Sequence, residues 1–188
     1  FCTTAENIIV GGALANTFLA AQGFNVGESF YEKDEMDTAR EILELAEKNK
    51  TGLHLPVDVV CADSMDAIEK VDVPTEDVIG KMKIFDIGKK TIQSYNEILQ
   101  HSKVIIWNGP VGCFEYQLFE TGTREILKII ASQKSAKTIL GGGDTLEALK
   151  KFGVEKSAFS HVSTGGGSML AFLEGKDLPG IEVLKTTK

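Results

Sequence analysis

Glycine tracts that follow apolar runs are the residues of this chain whose types and spacing could do chemistry. Two of them are triple glycines, at residues 141–143 and 165–167, and Asp144 and Thr145 directly follow the first. A glycine turn between a strand and a helix points the first N–H groups of the helix outward, and the missing Cβ atoms let a bulky anion approach. This pattern favours a phosphate group with a metal ion beside it.

Two further tracts have the same form. Gly11 and Gly12 follow the apolar residues 8–10, and Asn-Gly-Pro-Val-Gly at 108–112 follows the apolar residues 104–107. Four such turns in one chain indicate a polyphosphate site. The common alternatives lack their signatures, because the sequence contains no GxxxxGK[ST], GxGxxG, HEXXH or GxSxG pattern.

Composition limits the classes of function. The chain has 188 residues, 43% hydrophobic and 25% charged, which predicts one globular domain over residues 1–188. Its net charge of -7 argues against general binding to nucleic acid or to anionic membranes. Three cysteines without CxxC spacing favour a reducing compartment, so we expect the cytoplasm. The chain starts at Phe1, from which we expect a piece of a longer protein.

The elements that must position the glycine tracts alternate along the chain. Apolar periodicity predicts helices over residues 13–22, 91–101, 122–133 and 145–152, and one that opens near residue 37 with a Thr38–Glu41 capping box. Strands are expected at residues 55–62 and 84–87 and before each glycine tract, with 63–83 a loop that has a small added strand pair. This order predicts an α/β fold of three layers, α/β/α, with a mainly parallel, doubly wound sheet. Ligands are expected at the carboxyl ends of its strands.

Several motifs in register carry a family resemblance. Trp-Asn-Gly-Pro-Val-Gly-Cys-Phe-Glu at 107–115, Gly-Gly-Gly-Asp-Thr at 141–145 and Ser-His-Val-Ser-Thr-Gly-Gly-Gly at 160–167 resemble the nucleotide-binding C-terminal domain of phosphoglycerate kinases, and the resemblance runs over residues 7–184. It implies reversible phosphoryl transfer from 1,3-bisphosphoglycerate to Mg-ADP, giving 3-phosphoglycerate and ATP. It also implies a monomer, in which an N-terminal domain binds the phosphoglycerate. That domain and the first βα unit of the nucleotide half are missing here.

The resemblance assigns roles at the phosphate end of the nucleotide. Asp144 is similar to the aspartate that holds the nucleotide-bound Mg²⁺, although Asp144 with Glu147 also fits a capping box. The resemblance implies that four glycines act in catalysis by presenting N–H groups to the phosphoryl group in transit. These are Gly142, Gly143, Gly165 and Gly166. Residues 142–145, Thr145 included, are also implied to bind ADP or ATP.

At the nucleoside end, the resemblance assigns a pocket with flat apolar walls. Asn108, Pro110 and Val111 resemble the loop that contacts the nucleotide's phosphates and lines its pocket, and Glu115 resembles the residue that accepts from the ribose hydroxyls. A rigid proline turn with a solvated glutamate is the alternative from spacing alone. Gly11, Gly12 and Phe85 resemble walls of the adenine slot, with Phe85 as a core residue the alternative. These seven residues are the candidate nucleotide contacts around this pocket.

Departures from the family pattern leave a second function open. Ala13 stands where a third glycine is usual, and Ser168-Met169-Leu170-Ala171 replaces the usual Ala-Ser-Leu-Glu. The lysine-bearing turn that begins the family's C-terminal domain is not in this sequence. A stand-alone nucleotide-binding module that does not catalyse therefore remains the alternative.

Overall fold

The alternation of apolar runs and amphipathic stretches produces alternating strands and helices. The computed structural model describes residues 1–180, so the end of the predicted domain and of the resemblance, from residue 181 on, lies outside the described residues. Within the described residues the helices are α1 (Gly12–Ala21), α2 (Met36–Asn49), α3 (Lys89–His101), α4 (Thr121–Ala131), α5 (Gly143–Lys151) and α6 (Gly166–Leu173). The strands there are β1 (Asn7–Ile9), β2 (Gly52–His54), β3 (Asp58–Ala62), β4 (Val71–Pro74), β5 (Lys83–Ile87), β6 (Val104–Asn108), β7 (Lys137–Gly141) and β8 (His161–Ser163).

Parallel pairs dominate the strand pairing. The described strands form three hydrogen-bonded sheets, with orders β1-β2, β4-β3-β5 and β6-β7-β8. β1 pairs with β2 in parallel, and β7 pairs in parallel with both β6 and β8. The connection within each parallel pair contains a helix, as a parallel crossover requires. The predicted α/β class with parallel strands is confirmed.

The sheet around β3 is antiparallel, unlike the other two. β3 pairs antiparallel with both β4 and β5. No α-helix occurs between β3 and β5, so the chain reverses direction instead of crossing over. Of the small strand pair expected within 63–83, β4 is the one strand that lies inside that range, and it pairs with β3, which precedes it. The predicted strand over 55–62 is shortened to β3, since Pro56 has no N–H to donate to a ladder.

The largest core cluster lies between the β6-β7-β8 sheet and helices α3, α4 and α5. Ile105 and Trp107 of β6 and Leu140 of β7 pack there with Tyr95 of α3 and Leu127 of α4. Buried and exposed residues alternate along β6, so the described residues cover one face of this strand. The cluster fixes β6 and β7 relative to the helices that begin beyond their carboxyl ends.

Helix α2 begins within one residue of the predicted position but without the predicted cap. It starts at Met36, directly after a 3-10 turn at Lys33–Glu35, and no side chain caps it. Thr38 therefore lies inside the first turn, and the predicted Thr38–Glu41 capping box is wrong. The 3-10 turn already leads the backbone into the helix, which removes the need for an extended cap residue. Across residues 1–180, no helix combines the length and the apolarity that a membrane span requires.

Candidate functional site

A cavity of about 760 Å³ opens beyond the carboxyl ends of β1 and β6. Small-molecule sites typically occupy about 300–1,000 Å³. A second concavity, of about 820 Å³, lies over residues 61–71 and includes none of the predicted site residues. The first cavity is therefore the candidate site. The predicted residues that line it are Gly11, Gly12, Phe85, Asn108, Pro110, Val111 and Glu115.

Two glycines bring the end of β1 against the loop that follows β6. The Gly12 N–H donates to the Val111 carbonyl at 2.9 Å, and Gly12 has a φ of 63°, a conformation that favours glycine. A Cβ added to Gly11 would lie 2.7 Å from the Cβ of Val111. Position 11 therefore has no room for a side chain, because the loop packs directly on its backbone.

Asn108 ends β6 at the point where two other glycine tracts meet. A Cβ added to Gly142 would lie 2.9 Å from the Asn108 Oδ1, and one added to Gly166 would lie 2.8 Å from it. A Cβ on Gly166 would also lie 2.7 Å from the Cα of Gly142. Gly143 is the first residue of α5, and Gly165 directly precedes α6. The structure therefore brings Gly142 and Gly166 together beside Asn108, with Gly143 and Gly165 as their chain neighbours, and the catalytic role of the four glycines remains a prediction.

The Asp144 side chain is exposed in the first turn of α5. Gly142, with a φ of 101°, is the N-cap residue, and no side chain caps the helix. Asp144 therefore does not cap α5, and the capping box with Glu147 is not formed. A carboxylate at this end of a helix is favoured by the helix dipole, and its oxygens remain available to a ligand.

The donor set fits a Mg²⁺ ion that arrives with a nucleotide. Within residues 1–180, no group of three or more His, Cys, Asp or Glu side chains is arranged to hold a metal ion. Magnesium is commonly held by one or two carboxylates, with phosphate oxygens and water completing its shell. A single exposed carboxylate at Asp144, beside backbone N–H groups that suit phosphate, matches that arrangement.

Thr145 makes a contact that its motif does not reveal. Its Oγ1 accepts the N–H of Gly109 at 2.9 Å, and the Thr145 side chain is buried. Gly109 has a φ of 86° at the start of the loop after β6. The hydroxyl of Thr145 therefore ties the start of this loop to the first turn of α5.

Phe85 and Glu115 border the cavity in different ways. Phe85 is buried and lies against Phe119 with ring centroids 4.8 Å apart, yet it also lines the cavity. The two alternatives for Phe85, core residue and pocket wall, are thus compatible. Glu115 is exposed at the cavity, where a ligand hydroxyl can reach its carboxylate.

Asp86 is a buried carboxylate beside the cavity that the sequence reasoning missed. It accepts the N–H of Ile87 at 2.9 Å and the N–H of Gly122 at 2.7 Å. Burial raises the pKa of the Asp86 carboxyl to about 7, although the N–H groups of Gly122 and Ile87 and the charge of Lys70 favour its charged form. A Cβ on Gly112 would collide with this carboxylate, so Asp86 joins β5, the loop after β6 and the start of α4.

Asn16 of α1 is a second polar residue at the cavity that the sequence reasoning missed. Its Nδ2 donates to the Phe30 carbonyl at 3.1 Å, whereas its buried Oδ1 has no hydrogen-bond partner among the described residues. Asn16 contributes to the lining of the cavity. Nothing in its sequence context marked it, because it lies within an apolar helical pattern.

Comparison with known proteins assigns the family. The family model described as phosphoglycerate kinase matches residues 1–176. The chain belongs to the phosphoglycerate kinase family. A phosphoglycerate kinase from Pseudothermotoga lettingae is 47% identical over 187 residues, which are 98% of this chain and 46% of that protein. One from Mycolicibacterium smegmatis is 42% identical over 188 residues, which are 98% of this chain and 45% of that protein.

Solved phosphoglycerate kinase structures share the fold. The enzyme from Coxiella burnetii superposes with a TM-score of 0.91 at 42% identity, over 98% of this chain and 47% of that chain. The enzyme from Pyrococcus horikoshii superposes with a TM-score of 0.82 at 33% identity, over 96% of this chain and 45% of that chain. The chain spans about half the length of the phosphoglycerate kinases that it matches.

Two departures from the phosphoglycerate kinase pattern have visible places in the structure. Ala13, in the position of the usual third glycine, contributes to the cavity lining. The side chain of Met169, which replaces a serine, packs against Gly141 at the end of β7. Both residues place apolar atoms beside the glycine tracts.

Proposed function

We propose that this chain is the nucleotide-binding part of an enzyme that reversibly transfers a phosphoryl group from 1,3-bisphosphoglycerate to Mg-ADP, giving 3-phosphoglycerate and ATP. Membership of the phosphoglycerate kinase family supports the class of reaction. The observation that carries the proposal is the meeting of Asn108, Gly142 and Gly166 at the ends of three adjacent parallel strands. Open α/β sheets bind their ligands beyond the carboxyl ends of the strands.

The cavity is suited to the nucleoside part of ADP. Gly11 and Gly12 supply a flat backbone wall against which an adenine ring can lie, and Phe85 and Val111 supply apolar surface. Glu115 accepts hydrogen bonds from the ribose hydroxyls, which are donors that match a carboxylate. These residues provide affinity and orientation and take no part in bond making.

The helix N-termini are suited to the phosphate part. The backbone N–H groups of Gly142 and Gly143 lie at the N-terminus of α5, and those of Gly165 and Gly166 lie at the N-terminus of α6. Because phosphoryl transfer needs little covalent help, preorganised donors and charge neutralisation supply most of the stabilisation. A Mg²⁺ ion, when bound with the nucleotide, neutralises phosphate charge, and Asp144 is the side chain that would hold it.

The proposal includes the rest of the reaction machinery. A further domain outside this chain binds the phosphoglycerate substrate, and the enzyme works as a monomer in the cytoplasm. The free thiols of Cys2, Cys61 and Cys113 are compatible with a reducing compartment. The net charge of -7 means that phosphate binding relies on local backbone geometry rather than on a basic surface.

An Asp144→Asn variant tests the nucleotide site. Amide replaces carboxylate with little change of shape, so the variant should bind ADP with an affinity that no longer rises when Mg²⁺ is added, whereas the wild-type affinity should rise about tenfold or more. Isothermal titration calorimetry with and without Mg²⁺ measures both affinities. Glu147→Gln, one turn later on α5 and also exposed, is the matched control and should retain the wild-type response.

Two results would contradict the proposal. Equal Mg²⁺ dependence in Asp144→Asn and in the wild type would remove the metal role of Asp144. A folded wild-type chain that gives no saturable heat with millimolar ADP would contradict the nucleotide site itself. A non-catalytic nucleotide-binding module shares all of these contacts, and it stays the second candidate because the chain covers 46% of a relative's length.

A further inference from the structure

Lys151, the last residue of α5, reaches the segment that carries Glu115. Its Nζ donates to the Phe114 carbonyl at 2.6 Å and to the Glu115 carbonyl at 3.1 Å. The same Nζ lies 3.1 Å from Oε2 of Glu120. An ammonium group has three donors, and these three acceptors match them. The Lys151 side chain is 33% exposed, and its three acceptors distinguish it from an isolated surface ion pair.

Helix α5 holds the loop after β6 at both ends. At its first turn, Thr145 accepts the N–H of Gly109, where the loop starts. At its last residue, Lys151 holds the carbonyls of Phe114 and Glu115, where the loop ends. A single helix of nine residues therefore positions the loop and also presents Asp144. The two ends of the nucleotide site are coupled through one rigid element.

The partners of Lys151 are themselves fixed. Glu120 is 13% exposed and pairs with Arg124 of α4 at 2.6 Å. Phe114 is buried and meets Phe152 edge-on, with ring centroids 6.3 Å apart. Without the ammonium group, two carbonyls on this segment would lose their only charged donor among the described residues, and the Glu115 backbone would gain freedom.

We propose that Lys151 is a positioning residue for Glu115: it fixes the backbone from which the Glu115 carboxylate reaches the ribose hydroxyls of bound ADP. This inference rests on the proposed function. Lys151 acts on the nucleotide only through the main chain of residues 114–115, so its loss weakens recognition of the ribose. Recognition of Mg²⁺ and phosphate stays intact, because Asp144 and the glycine N–H groups lie at the opposite end of α5.

The test compares ADP with 3′-deoxy-ADP, which lacks one ribose donor, on the whole chain in the presence of Mg²⁺. Hydrogen bonds to a charged group are strong enough for the wild type to prefer ADP by roughly tenfold or more. Lys151→Met should reduce that preference to about threefold or less, and Lys151→Arg should restore most of it. Lys150→Met is the matched control, since Lys150 is exposed on the same turn and should leave the preference unchanged.

Each outcome separates this inference from the proposed function. Unchanged ADP preference in Lys151→Met overturns the role of Lys151 and leaves the nucleotide site standing. No ADP binding by the folded wild type overturns both. A loss of Mg²⁺ dependence in Lys151→Met also counts against the inference, because it would show damage to the whole site.

Amide exchange provides the second measurement. The Cys113 N–H donates to the Phe85 carbonyl of β5, and the N–H groups of Phe114 and Tyr116 donate to carbonyls within the loop. In Lys151→Met these amides should exchange at least about tenfold faster, with β6 and β7 unchanged. Lys151→Gln, which keeps a donor, replaces Lys151→Met if the apolar variant fails to fold. Loop exchange that matches Lys150→Met would overturn the positioning role.

Discussion

At the scale of single residues, Asp86 is where burial and hydrogen bonding oppose each other most clearly. The carboxylate accepts two backbone N–H groups, which favour its charged form, but desolvation outweighs them and raises its pKa from 3.8 to about 7. Asp72 adds a like charge that acts in the same direction as burial, and Lys70 opposes it. At a pH between 3.8 and about 7, Asp86 holds a proton in the folded state but not in the unfolded state.

This difference predicts the direction of a pH effect on stability. The contribution of Asp86 is fully present below about pH 4 and is lost as pH rises through about 7, because the folded pKa is the higher one. Asp86→Asn should therefore flatten the fall in melting temperature between pH 5 and pH 8, a range over which Asp86 lowers the free energy of unfolding by at most about 3 kcal/mol. Thermal melts across this range measure it.

A constant loss is also expected in Asp86→Asn, because its NH₂ group will face a backbone N–H that the carboxylate accepted. That loss shifts the curve without changing its slope. Asp63→Asn, at an exposed position, is the control and should follow the wild type. Parallel curves for Asp86→Asn and wild type would show that Asp86 does not carry the pH dependence.

Residue identities at the site were predictable only where a motif fixed them. Asn108, Gly142 and Gly166 were named from the sequence, and the structure does place them together. Lys151 and Asp86 were not named, because each acts through contacts with residues more than thirty positions away. Local pattern contains no information about such partners.

At the scale of elements, helix α3 receives its cap from a neighbouring strand. Its N-cap residue is Gly88, which offers no side chain, and Asp58 of β3 takes over the role. Asp58 accepts the N–H of Lys90 at 3.0 Å and the N–H of Thr91 at 2.7 Å. These bonds fix the start of α3, which directly follows β5 in the chain, to strand β3.

Asp58→Ala should lower the free energy of unfolding by about 2–3 kcal/mol, since two helix N–H groups and the Thr91 hydroxyl lose a buried, charged acceptor. Urea unfolding measures the change as a lower midpoint with an unchanged m-value. Asp63→Ala, exposed in the next segment, should change it by no more than about 0.5 kcal/mol. Equal midpoints for the two variants would contradict the capping role of Asp58.

Helix α6 depends on a close approach of backbone to backbone. A Cβ on Gly166 would meet the Cα of Gly142 at 2.7 Å, whereas one on Gly167 would meet nothing within 4 Å. Gly166→Ala should therefore cost about 1–3 kcal/mol of stability through overpacking. Gly167→Ala should be neutral or stabilising by up to about 1 kcal/mol, because alanine has the higher helix propensity. Unfolding curves that rank the two variants in the opposite order would contradict this packing.

The elements themselves were largely predictable because periodicity is local. Helices expected over 13–22 and 122–133 are observed as Gly12–Ala21 and Thr121–Ala131. The antiparallel direction of β3 was not predicted, since direction depends on whether a crossover helix intervenes and on which edge the returning strand meets. The helix expected near residue 37 begins at Met36, but its cap was wrongly predicted because the preceding 3-10 turn has no sequence signal of its own.

At the scale of the whole molecule, β1 and β6 are edge strands of two different parallel sheets, and both border the same hydrophobic core. β1 pairs only with β2 and β6 only with β7 among residues 1–180, yet Ile9 packs against the same cluster as Ile105. The uncovered face of β6 exposes 56% of Val104 and 40% of Ile106. Within residues 1–180, this apolar face of β6 therefore has no element packed over it.

The chain alone should show no phosphoglycerate kinase turnover. Alignment of acceptor and nucleotide supplies about 7–11 kcal/mol of barrier reduction, and a nucleotide half that holds no phosphoglycerate forfeits that contribution. Adding, as a separate polypeptide, the part of the Pseudothermotoga lettingae phosphoglycerate kinase that lies outside the matched region should restore measurable activity in a coupled assay. Gly166→Ala should suppress the recovery by crowding Gly142, and Glu147→Gln should not. Turnover by the 188-residue chain alone, proportional to its concentration and abolished by Asp144→Asn, would show that the nucleotide half carries the whole reaction.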